Sequence, residues 1–137
     1  MNYLDNYPGG FPSAKIVVAV SIFDSAALSA IVDTGAPWCI FDPELIAALG
    51  IDGDDGYRPE GALNIRGTRY EGVLVRAPLT LLADEGDDLT INATIFLPDW
   101  NEGDSWHLPN FIGLDGCLNR IRFAVDPVES VVYFGGL

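Results

Sequence analysis

The sequence predicts a small, closed, mostly antiparallel β fold with one or two short helices. Three observations lead there. Short apolar runs rich in Val, Ile, Phe and Tyr recur along the chain. Clusters of Gly, Pro, Asp and Asn punctuate them, drawing on 15 Gly and 9 Pro in 137 residues, which is the pattern of strands joined by tight turns. Hydrophobic residues make up 49%, enough for one domain over residues 1–137 to bury a core without disulfides or metals.

The elements follow in order. KIVVAVSIF (15–23) and ALSAIV (27–32) are β-branched runs, and Asp24-Ser25 between them suits a tight hairpin. WCIF (38–41) is a further short strand. A helix start and stop follow: Asp42 as N-cap, Pro43 at the first helical position, Leu45, Ile46 and Leu49 inward, and Gly50 as terminator. Residues 51–61 form a polar loop. Segments 62–66 and 69–82 flank Gly67-Thr68 and read as a long hairpin. Residues 83–88 turn the chain into a strand over 89–97. The segment 98–110 has no apolar periodicity and is expected to be an exposed loop. A strand over 111–114, a helical turn over 115–120 and closing strands over 121–125 and 130–135 complete the chain.

Acidic residues outnumber basic ones 20 to 7, for a net charge of −13. Phosphate backbones and anionic bilayers would be repelled, so neither nucleic acid nor a membrane is an expected partner. The start MNYLDNYPGG lacks a basic leader, and the apolar stretch 16–23 is too short to span a bilayer. The expectation is a cytoplasmic protein in which Cys39 and Cys117 are free, buried thiols.

Chemistry concentrates at Ile31-Val32-Asp33-Thr34-Gly35-Ala36. An Asp directly after an apolar strand is costly to bury unless it is bonded or paired. Gly35 lets the backbone turn sharply and brings peptide N–H groups toward the carboxylate, and Thr34 offers a hydroxyl that can hold the turn. The plainer alternative is an Asp that caps its own turn.

Taken in order along the chain, these features resemble the retropepsin-like aspartic peptidases. An apolar strand runs into Asp33-Thr34-Gly35-Ala36, a strand and helix follow, and a hairpin stands where that family has its flap. Phe111-Ile112-Gly113 then leads into Leu114-Asp115-Gly116-Cys117-Leu118, and a last strand over 131–134 ends the chain. The match spans about 15–135 of the 137 residues. The resemblance implies a closed acid-protease-type barrel, and Asp33 as the catalytic carboxylate. Thr34 would bond across a two-fold axis, with Gly35, Ala36, Ile112 and Gly113 supporting the turn. Asn64, Ile65, Arg66, Gly67 and Thr68 would be the flap residues over a peptide or protein substrate. Two departures from the viral members occur together: Pro37 and Leu114 stand where those have an Asp and an Arg that pair. Both charges are absent, so neither is left buried alone.

Asp-Thr-Gly occurs once, whereas the chemistry needs two carboxylates sharing a proton. A homodimer supplies the second by symmetry. The alternative is a non-catalytic dimeric module of the same scaffold that binds peptides or protein partners. No cofactor or metal is called for. His107 is the single histidine and lies in a loop, and the acidic run Asp52-Gly53-Asp54-Asp55-Gly56 has Leu63 where a calcium loop needs Glu.

Overall fold

Six strands close into a barrel in the computed structural model, which describes residues 2–6, 12–101 and 103–137. The elements are β1 (Asn2–Asn6), β2 (Pro12–Ile22), β3 (Leu28–Val32), β4 (Cys39–Ile40), α1 (Pro43–Ala48), β5 (Leu63–Ile65) and β6 (Thr68–Tyr70). After them come β7 (Gly72–Leu81), β8 (Leu89–Pro98), β9 (Asn110–Ile112), a 3₁₀ turn (Leu118–Arg120), β10 (Ile121–Asp126) and β11 (Val131–Gly136). The hydrogen-bonded order is β2-β3-β9-β4-β8-β7, and β7 pairs back to β2 to close the ring.

The closure is as expected, but the barrel is mixed. β3–β9 and β4–β8 run parallel, and the other pairs around the ring are antiparallel. Tight turns force antiparallel neighbours only between consecutive strands. β9 instead arrives from a long loop and inserts between β3 and β4, which fixes its direction independently of any hairpin.

Alternation along the strands builds two apolar layers, because successive side chains point to opposite faces. Ala30, Cys39, Ile95 and Ile112 point inward with Val20, Ile22, Leu79 and Phe41 to form the barrel core. Their sequence neighbours Ile31, Ile40, Phe96 and Phe111 point outward and form a second cluster on the outer face. That outer cluster is the foundation of the site described below.

The helix forms where the sequence placed it. Asp42 accepts from the Glu44 N–H at 2.9 Å, Pro43 opens the helix, and Ile46 is fully buried. The helical turn expected over 115–120 is present as the short 3₁₀ turn. Other boundaries moved. The β2–β3 turn centres on Phe23-Asp24, both at positive φ, one residue before Asp24-Ser25, with the Ser25 N–H closing it onto the Ile22 carbonyl at 3.0 Å. β1, over which no strand was expected, pairs antiparallel with the start of β2. The long hairpin expected over 62–82 is broken at Glu71, whose carbonyl accepts from the Asp99 N–H at 2.7 Å. β5 and β6 therefore form a hairpin of their own. β10 and β11 also form a separate two-stranded sheet, with Phe123 and Tyr133 exposed. Among the described residues, no helix is long and apolar enough to cross a membrane.

Candidate active site

Asp33 begins where β3 ends. The parallel register sets Ile31 beside Phe111 and Val32 beside Ile112, and the Asp33 N–H donates to the Ile112 carbonyl at 3.0 Å. The ladder thus holds one residue beyond the strand. The chain then reverses: the Ala36 N–H donates to the Asp33 carbonyl at 3.2 Å, and the Gly35 N–H to Asp33 Oδ1 at 2.9 Å. Asp33 therefore does cap its own turn, as the plainer reading held, and its half-buried carboxylate also faces a groove.

The turn is braced from behind. Leu114 N–H donates to Ala36 O at 2.8 Å and Asp115 N–H to Pro37 O at 2.6 Å, so two loops are laced together by main chain alone. Gly113 makes this approach possible. A Cβ there would stand 2.3 Å from the Trp38 carbonyl oxygen. Ile112 lies fully buried in the barrel core beneath the turn. Thr34 is exposed at its crest.

Opposite the turn lies the β5–β6 hairpin. Its register pairs Leu63 with Tyr70 and Ile65 with Thr68, which puts Leu63, Ile65, Thr68 and Tyr70 on one face. Arg66 and Gly67 form its two-residue loop with φ of 50° and 83°, the mirror-image turn that matches strand twist in a hairpin. Gly67 adopts that conformation freely, whereas Arg66 adopts it against its Cβ.

Between turn and hairpin is a groove of about 240 Å³. Asp33, Gly35, Ala36 and Pro37 line one side, and Asn64, Ile65 and Arg66 the other. Ile40, Leu63 and Phe111 give it an apolar floor. Of the residues singled out in the sequence, the groove collects Asp33, Gly35, Ala36, Asn64, Ile65 and Arg66. Thr34, Gly67, Thr68, Ile112 and Gly113 are adjacent and do not line it. The floor residues Ile40 and Leu63 were not anticipated as lining. Their signal was the period of two: Leu63 shares a face with Ile65, and Ile40 is the outward neighbour of the inward Cys39 and Phe41.

A crystal structure of a retropepsin-like aspartic protease from Rickettsia conorii matches this chain with a TM-score of 0.54, covering 100% of this chain and 97% of that one at 15% identity. The fold is retropepsin-like. No family model matches the sequence, and a search of curated proteins found no match. Within the retropepsin-like frame, the Asp33 turn follows an apolar strand, and the β5–β6 hairpin stands across the groove from it.

The loop after β8 departs from expectation. Residues 98–110 read as exposed, yet Trp106 and Leu108 are half-buried against the outer cluster. Aromatic residues bury singly here, without the periodicity that marks a regular element. His107 between them is exposed, and among the described residues no group of His, Cys, Asp or Glu converges on a metal position. The Asp52 carboxylate caps its own loop through the Asp54 N–H at 3.1 Å. Cys39 and Cys117 are free thiols buried in the barrel core. The hydrogen bond to Cys39 and the loss of solvent hold the Cys117 thiol well above its ordinary range.

Proposed function

We propose that the protein is an aspartic endopeptidase that acts as a homodimer, each chain contributing Asp33 to a shared pair of carboxylates. The observation that carries this reading is the Asp33 turn, rigidly laced to the Ile112–Asp115 segment and open to an apolar groove beneath a hairpin. Like charges held close cannot both ionise comfortably, so the pair retains one proton. The ionised carboxylate takes a proton from a water held between the two, and the protonated one gives a hydrogen bond to the scissile carbonyl. The hydroxide so formed attacks that carbonyl, and the amine leaves after protonation.

The substrate is an extended peptide. Strand-like binding under the β5–β6 hairpin gives affinity that tolerates sequence, while Ile40, Leu63 and Phe111 receive an apolar side chain. Exposed Phe123 and Tyr133 on the β10–β11 sheet supply apolar surface for association of two chains. Two unlinked, buried cysteines suit a reducing, cytoplasmic setting.

The test is Asp33→Asn, assayed on an unfolded protein substrate at mildly acidic pH together with sedimentation. Cleavage is expected to fall to background while the dimer persists. A variant that cleaves like wild type, or a wild type that cleaves as single chains, ends the proposal.

A further inference from the structure

The β5–β6 hairpin is too small to hold itself over the groove. Its strands have three residues each, and they form a sheet of their own that pairs with no barrel strand. An isolated two-stranded hairpin is marginal in water. Something else must fix its position.

At the root of the hairpin, main chain and one ion pair do so. Tyr57 and Leu74 exchange hydrogen bonds at 2.9 and 2.7 Å, and the Asp99 N–H donates to Glu71 O at 2.7 Å. Arg58 clasps both oxygens of Asp99 at 3.0 Å. These contacts lie at or below Glu71. Above them, Leu63 and Ile65 pack into the outer cluster, and the Tyr70 ring, on the same face of the hairpin, meets Trp106 with centroids 5.5 Å apart and planes at 59°. Trp106 is backed in turn by Trp100 at 5.7 Å in an edge-on arrangement. Trp106 also packs in the cluster that contains Leu63 and Phe111.

Among the described residues, Trp106 Nε1 is buried with no hydrogen-bond partner. A buried donor left unsatisfied is unfavourable, so the packing of the indole must outweigh that loss.

We infer that Trp106 is a positioning residue, a strut that keeps the β5–β6 hairpin seated over the Asp33 turn through Tyr70. The catalytic consequence rests on the proposed function, in which that hairpin covers substrate; the structural claim does not.

Amide hydrogen exchange of residues 64–70 tests it in Trp106→Ala and Trp106→Phe, with β7 and β8 as internal references. In Trp106→Ala the hairpin amides should exchange up to about tenfold faster, the loss of the Tyr70–Trp106 contact, while amides of β7 and β8 hold their wild-type rates. Trp106→Phe should restore slow exchange, because it keeps a ring and sheds the unpaired donor. The inference is overturned if the hairpin amides are unchanged in Trp106→Ala. It is equally overturned if β7 and β8 accelerate by the same factor, or if Phe fails to rescue. Should wild type cleave no peptide, the peptidase proposal falls while the exchange pattern still decides the role of Trp106.

Discussion

Replacing Gly113 by Ala strikes the place where the two halves of the site interlock. The added Cβ would stand 2.3 Å from the Trp38 carbonyl oxygen, 2.4 Å from its carbon and 2.7 Å from the Trp38 nitrogen. All three atoms are main chain, so no side-chain rotation can relieve the overlap. The strands must part by about 1 Å to reach ordinary contact, and overpacking of this kind costs roughly 1–3 kcal/mol. The movement also strains the Leu114–Ala36 and Asp115–Pro37 hydrogen bonds, and losing one adds about 1 kcal/mol. A total near 3 kcal/mol, with a urea slope of about 2 kcal/mol per molar, shifts the unfolding midpoint down by about 1.5 M. Urea denaturation at fixed protein concentration measures it. Gly135→Ala is the control, since a Cβ there meets nothing within 4 Å. Equal midpoints for the two variants would refute the claim that close main-chain approach at Gly113 braces the Asp33 turn.

Two further outcomes are expected. Alkylation of Cys39 and Cys117 by iodoacetamide should be at least about 100-fold slower in the native protein than in denaturant, since both thiols are buried and Cys117 resists ionisation; stoichiometric labelling without unfolding contradicts this. The Arg58 hydrogen bond holds Asp99 below the ordinary carboxylate range, so the pair's stabilisation is present above the unfolded value of about 4 and is lost as pH falls through the folded one. Both side chains are more than half exposed, so the effect is small. Asp99→Asn should lower the thermal midpoint slightly at neutral pH and match wild type in strong acid; a difference that persists in strong acid would show that the ion pair is not its source.

Much of this architecture is legible in the sequence. The cap at Asp42, Pro43 and the apolar spacing of Ile46 and Leu49 write a helix locally, and the helix is there. The Asp33-Thr34-Gly35-Ala36 turn was equally local, since an Asp that follows β-branched residues and stands two before a Gly favours a turn. What escaped was set by distant partners. β9 runs parallel to β3 because it inserts between strands that are far from it in sequence. The hairpin broke at Glu71 because Asp99, 28 positions on, captured its carbonyl. Trp106 looked like a loop residue because nothing near it in sequence predicts Tyr70 as a neighbour. The groove floor lay between these cases: Leu63 and Ile40 were visible as apolar, and only alternation told which side they faced.

That alternation has a consequence for how such a protein can change. The sheet between barrel and groove is a party wall, one peptide thick, with Phe111 furnishing one room and Ile112 the next. Remodelling the groove from this side risks the interior through its immediate neighbour, and a single-residue insertion would exchange the rooms altogether. Diversification has a freer hand on the far bank, where exposed hairpin positions such as Asn64 and Arg69 can vary without touching the masonry.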